Sequence, residues 1–204
     1  MKHSKTLKRS EFLKFFSELS PDEVSFDGVA YTLVKGTKRY IAEPPFPPTL
    51  SVFPPRNSLL QEHLDSRPKI AVVLIRYGEY AIGLFEGTEL LVYKTGSHFI
   101  RGRTKAGGQS SARYSRIRAG QRAEFLEGVS FALDVLLGPK MNDVSYVFFG
   151  GARDTANALV KHSALLQKNK IKIQERMIPA RHADFEALRA SAEDVWSFRV
   201  EELS

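Results

Sequence analysis

The sequence predicts an α/β protein: a mixed sheet with helices on its faces, plus a small N-terminal helix-and-hairpin appendage. Three observations predict it. Residues 69–95 hold three apolar runs, KIAVVLIRY, YAIGLFE and ELLVYKT, separated by turns at Gly78-Glu79 and Gly87-Thr88. That is the pattern of an antiparallel meander. From Phe125 onward, helical and strand-like patterns alternate, which implies strands crossing under helices. The length of 204 residues and an apolar fraction of 43% suit one domain with an appendage.

Taken in order, Leu7, Phe12, Leu13, Phe15, Phe16 and Leu19 recur at near-helical spacing and predict an amphipathic helix over 5–19, ended by Ser20-Pro21-Asp22. Residues 24–34 and 38–42 read as two strands around Gly36-Thr37. EPPFPPTLSVFPP holds six of the ten prolines and reads as an extended connector. The appendage is therefore drawn over 1–56 and the main domain over 57–204. After the meander, Phe125, Leu126, Val129, Ala132, Leu133, Leu136 and Leu137 fall within an arc of about 140°, a face suited to packing on a sheet. Gly138-Pro139 ends that helix. VSYVFF is a buried strand, Gly150-Gly151 a tight turn, 152–167 a helix, IKIQERMI a strand and 183–194 a third helix. The order β-β-β-α-β-α-β-α resembles the ribonuclease-H-like architecture, which many unrelated functions share.

Composition excludes several chemistries. With no cysteine there is no disulfide, thiolate metal site or cysteine nucleophile. The basic start MKHSKTLKR is followed by Glu11, Lys14 and Glu18 instead of the apolar region of a signal peptide. No run approaches the roughly 18 apolar residues of a membrane span. The sequence reads as a soluble cytoplasmic protein. The first strand, Ile70 to Arg76, carries no carboxylate, which argues against a two-metal nuclease. His3, His63, His98, His162 and His182 form no metal-ligand spacing and read as surface or capping residues. His98 is the partial exception, because it stands where the third strand leaves the meander. No metal or other cofactor is expected.

The net charge of +7 favours a polyanionic partner. The charge is concentrated in a glycine-rich loop drawn over 96–122. Between Glu89 and Glu124 there is no acidic residue, while Lys94, Arg101, Arg103, Lys105, Arg113, Arg116, Arg118 and Arg122 all lie there. Uncompensated cations at that density suit several phosphates at once. Gly102, Gly107, Gly108 and Gly120 let backbone approach a ligand closely. A phosphate loop of the nucleotide-binding type is excluded, since Gly107-Gly108 is followed by Gln-Ser-Ser and not by Lys-Ser/Thr. On composition alone, a basic loop that binds nucleic acid without chemistry stands level with a catalytic one.

Gly107-Gly108-Gln109, set in a basic loop between a strand meander and a long helix, resembles the catalytic domain of eukaryotic-type class-one peptide release factors. The segment is more similar still to the Vms-like release factors of ribosome quality control. The resemblance covers roughly Ile70 to Val200. Gly108 stands where quality-control members often carry Ser, so the tripeptide is that of ordinary release factors. The resemblance implies a monomer acting on the large ribosomal subunit, with rRNA and peptidyl-tRNA as partners and neither membrane nor DNA. It makes Gly107, Gly108 and Gln109 the catalytic residues. Arg101, Arg103, Lys105, Arg113, Arg116, Arg118 and Arg122 would bind RNA. Gln109 does not titrate near neutral pH, so its roles are to position a water and to offer its backbone N–H to a developing oxyanion. Ester hydrolysis of peptidyl-tRNA is the favoured reaction. Cleavage of the tRNA near its 3′ end and a non-enzymatic binding role remain the alternatives.

Overall fold

A computed structural model of the chain describes residues 4–48, 59–100 and 109–203, with side chains from 112 onward in the last stretch. In chain order the elements are β1 (Ser4–Leu7), α1 (Arg9–Leu19), β2 (Glu23–Phe26), β3 (Tyr31–Lys35), β4 (Lys38–Glu43), α2 (Leu59–Asp65), β5 (Lys69–Arg76), β6 (Glu79–Glu86) and β7 (Glu89–Ser97). Then follow α3 (Gln109–Leu137), β8 (Tyr146–Gly151), α4 (Arg153–His162), α5 (Ala164–Lys168), β9 (Ile173–Ile178), α6 (Phe185–Val195) and β10 (Phe198–Leu203). They form two compact units. One runs up to Pro68 and takes in the segment from Ala192 onward; the other is Lys69–Ser191. The division drawn after residue 56 falls outside the described residues.

The first unit is an antiparallel sheet of order β1-β10-β4-β3-β2. Its inward positions alternate along each strand, as a one-faced sheet requires: Val24, Tyr31 and Leu33, Ala42, then Phe198 and Val200. Phe12 of α1 closes over them, its ring 3.8 Å from that of Phe198 and nearly parallel. The Glu11 carboxylate accepts from the Lys8 N–H at 2.8 Å, fixing the start of α1. The expected helix over 5–19 therefore begins later, at Arg9. Residues Ser4–Leu7 instead pair with β10, a partner far away in sequence. The strand expected over 24–34 is two strands, because the Asp27 carboxylate accepts from the Val29 and Ala30 N–H groups and turns the chain.

His63 corrects the expectation of a surface or capping histidine. It is 3% exposed. Its Nδ1 lies 3.1 Å from the Tyr31 hydroxyl, among the rings of Phe46, Trp196 and Phe198. Burial pushes its pKa down to about 4.

The second unit is a mixed sheet of order β7-β6-β5-β8-β9. The three-strand meander is antiparallel, and β8 and β9 join it in parallel. Ala71, Val73 and Ile75 of β5 form one core with Ile82 and Leu84 of β6 and with α3, α4 and α5. On the opposite face, a Cβ at Gly83 would come within 3.0 Å of the Leu188 side chain, so the glycine admits α6 against the sheet. Helices thus cover both faces. The helix expected over 152–167 breaks at Ser163, whose extended backbone and hydroxyl cap α5. Gly150 and Gly151, expected as a turn, are the last two residues of β8.

Candidate nucleic-acid interface

The basic segment is shaped by how little of α3 packs. In an amphipathic helix the buried stripe sets where the helix can lie. Phe125, Val129, Leu133 and Leu137 form that stripe and are almost wholly buried. Each contributes about 1.5–3 kcal/mol through burial. N-terminal to Phe125, no described side chain of α3 is buried. At 1.5 Å per residue, the stretch from Gln109 to Glu124 is a rod roughly 24 Å long. The loop drawn over 96–122 is thus helical from Gln109, the first residue of α3.

Arg113 and Arg116 are exposed, about 60° apart around the helix. Arg118 is half-buried, and Arg122 is exposed on the side that continues the buried stripe. The Arg122 Cζ lies 4.4 Å from the centroid of the Tyr77 ring, a cation–π contact. Arg101, Arg103, Lys105, Gly107 and Gly108 lie outside the described residues, as does the side chain of Gln109.

The stem of the segment is tied at both ends. The His98 N–H donates to the Gly78 carbonyl at 2.7 Å where β7 ends. Gly78 has φ of +79°, and a Cβ there would sit 2.5 Å from the His98 carbonyl oxygen. No other residue fits that crossing without displacing it. The His98 Nε2 lies 3.6 Å from a Glu124 carboxylate oxygen, joining the strand exit to the helix just before its first buried turn. Sequence reading singled out His98 but missed Glu124 and Tyr77. The signal for Glu124 was present, since it is the acid that closes the acid-free stretch. Among the described residues, no three His, Asp or Glu side chains converge to hold a metal ion. No helix of the described residues is long and apolar enough to cross a membrane.

A mixed sheet with a long helix that is basic and largely solvent-facing at its start, and whose first residue completes a Gly-Gly-Gln tripeptide, defines a release-factor-like domain. Residues 68–201 match the family described as Actinobacteria/chloroflexi VLRF1 release factor, and the chain belongs to that family. It is a member of the wider Vms1 and release-factor-like superfamily. It is 26% identical over 170 residues to peptide chain release factor subunit 1 of Thermoplasma acidophilum, a match covering 80% of this chain and 41% of that protein. Identity to the protein of the same description from Pyrococcus abyssi is 28% over 116 residues, covering 56% of this chain and 28% of that one. The chain therefore spans less than half the length of these relatives. Among solved structures, the Vms1 mitochondrial localization core shares the fold, with a TM-score of 0.50 over 91% of this chain and 79% of that one at 11% identity.

Proposed function

We propose that this chain releases nascent peptide from peptidyl-tRNA on stalled or split large ribosomal subunits, with Gln109 at the tip of α3 as the residue that enters the site. One observation carries the reading: α3 starts at Gln109, and none of its described side chains before Phe125 is fully buried, so the last residue of the tripeptide begins a largely solvent-facing helix. A narrow RNA-lined pocket demands such a shape, thin at its tip and basic along its sides. Membership of a release-factor family supports the reaction. The architecture of the second unit we read as ribonuclease-H-like, supported by a meander continued by parallel strands.

In this reading Arg101, Arg103, Lys105, Arg113, Arg116, Arg118 and Arg122 neutralise phosphates, and Gly107 and Gly108 give clearance. Gln109 holds a water against the ester carbonyl carbon. Attack forms a tetrahedral oxyanion, which the Gln109 N–H stabilises before the ribose hydroxyl departs. The same cations would equally stabilise a phosphorane if a ribose hydroxyl attacked the adjacent phosphate. The tRNA 3′ end distinguishes the two reactions: hydrolysis leaves it intact, and cleavage shortens it. The test is peptide release from purified large subunits carrying peptidyl-tRNA. Wild type releases peptide and Gln109→Ala does not; equal release by both removes Gln109 from the mechanism.

A further inference from the structure

Beside the base of α3, within the second unit, lies a cavity of about 150 Å³ lined among others by Tyr77, Ile100, Arg122, Phe125, Asp154 and Thr155. It shares Arg122 with the basic stretch of α3. We propose that this cavity receives one unpaired, amino-bearing base of the bound RNA; this rests on the RNA-binding reading above.

Its size is the first reason. A cavity of about 150 Å³ has room for one planar base and is too small for a nucleotide cofactor, whose pockets run from roughly 300 Å³ upward. Its walls are the second. Tyr77 is 52% exposed at the turn between β5 and β6. Arg122 already covers one face of that ring, and a base stacks on the outer side of this cation–π pair. Ile100 and Phe125 supply apolar sides.

A carboxylate in the cavity wall then selects the occupant. Asp154 stands in the first turn of α4 with Thr155 beside it. A carboxylate accepts hydrogen bonds and repels phosphate, so it favours the exocyclic amine of adenine, cytosine or guanine over a backbone phosphate. Uracil, which lacks that amine, fits less well. Location is the third reason. Arg122, itself one of the cations of α3, lies in the cavity wall, so a strand that reaches Arg122 passes the cavity. Phosphate contacts would set the position of the strand and the cavity would read one base.

Fluorescence anisotropy of labelled hexaribonucleotides with the full chain tests this. The probes are oligo(A), oligo(C), oligo(U) and an abasic ribose-phosphate hexamer. Wild type binds oligo(A) and oligo(C) about ten-fold more tightly than the abasic hexamer. Tyr77→Ala, on the surface, and Ala158→Phe, which fills the cavity, lower both to the abasic level without changing abasic affinity. Asp154→Ala erases the preference of oligo(A) and oligo(C) over oligo(U). Arg113→Ala weakens all four by one common factor. Equal binding of base-bearing and abasic hexamers by wild type, or a preference that survives in both Tyr77→Ala and Ala158→Phe, overturns the base site and leaves RNA binding standing. No binding of any hexamer overturns both.

Discussion

His63 and Gly78 are each fixed by what surrounds them, and each yields a measurable consequence. His63 is neutral in the folded protein, with its pKa pushed down to about 4 by burial. In the unfolded chain it takes up a proton near its ordinary value of about 6.5. The unfolded state therefore binds more protons between those values, and stability rises with pH across that window. On acidification from pH 6.5 to 4, His63 alone removes about 3 kcal/mol. Urea midpoints at pH 7 and pH 5 should differ more in wild type than in His63→Phe, and equal slopes contradict the assignment. At Gly78, the left-handed backbone and the approach to His98 make Gly78→Ala destabilising by about 1–3 kcal/mol, read as a lowered Tm. Neither role could be read from the sequence. His63 occupies a short helix flanked by proline-rich sequence, and its aromatic neighbours come from residues as distant as Phe198. Gly78 was legible as a turn, but its crossing with His98 depends on how β7 ends.

Hydrophobic periodicity reveals helices that pack, and α3 shows where that signal stops. From Phe125 the apolar stripe was legible and its residues are the ones buried on the sheet. From Gln109 to Glu124 there is no stripe to find, because no described side chain there is fully buried, and its arginines and single glycine read as loop. The cations themselves were legible as charge; the point at which the helix that spaces them begins was not. Gly120 illustrates the difference. Read as a loop glycine that admits a ligand, it is an exposed helical residue with open space where a Cβ would be. Gly120→Ala should therefore raise stability by about 0.5–1 kcal/mol, measured by thermal unfolding. A lower Tm would contradict a helix through that position. Arg113→Ala with Arg116→Ala should weaken RNA binding uniformly across sequences. It should also flatten the dependence of log affinity on log salt by about 1.4, two single-strand phosphate contacts' worth.

Across the whole chain, the meander and the alternating helices and strands were legible because each is built from local patterns: continuous apolar runs, glycine turns and a packed helical face. The first unit was half-legible. Its outer strand Ser4–Leu7 carries a single apolar residue and exists through backbone pairing with β10, so no local pattern announces it. β10 in turn sits between β1 and β4, joining the two ends of the chain in one sheet. Phe198→Ala should consequently cost about 3–5 kcal/mol, since its ring is fully buried against Phe12. The single tryptophan, Trp196, lies buried in the same unit and reports that unfolding by fluorescence. The family match spans 68–201 and so takes in the basic helix, the tripeptide and most of β10. Of all these consequences, the loss expected at Gln109 bears most directly on what the protein does. Purified large ribosomal subunits carrying peptidyl-tRNA should release their peptide with wild type, while Gln109→Ala, equally folded and equally bound, leaves the peptide attached. Release at the wild-type rate by that variant would contradict the account.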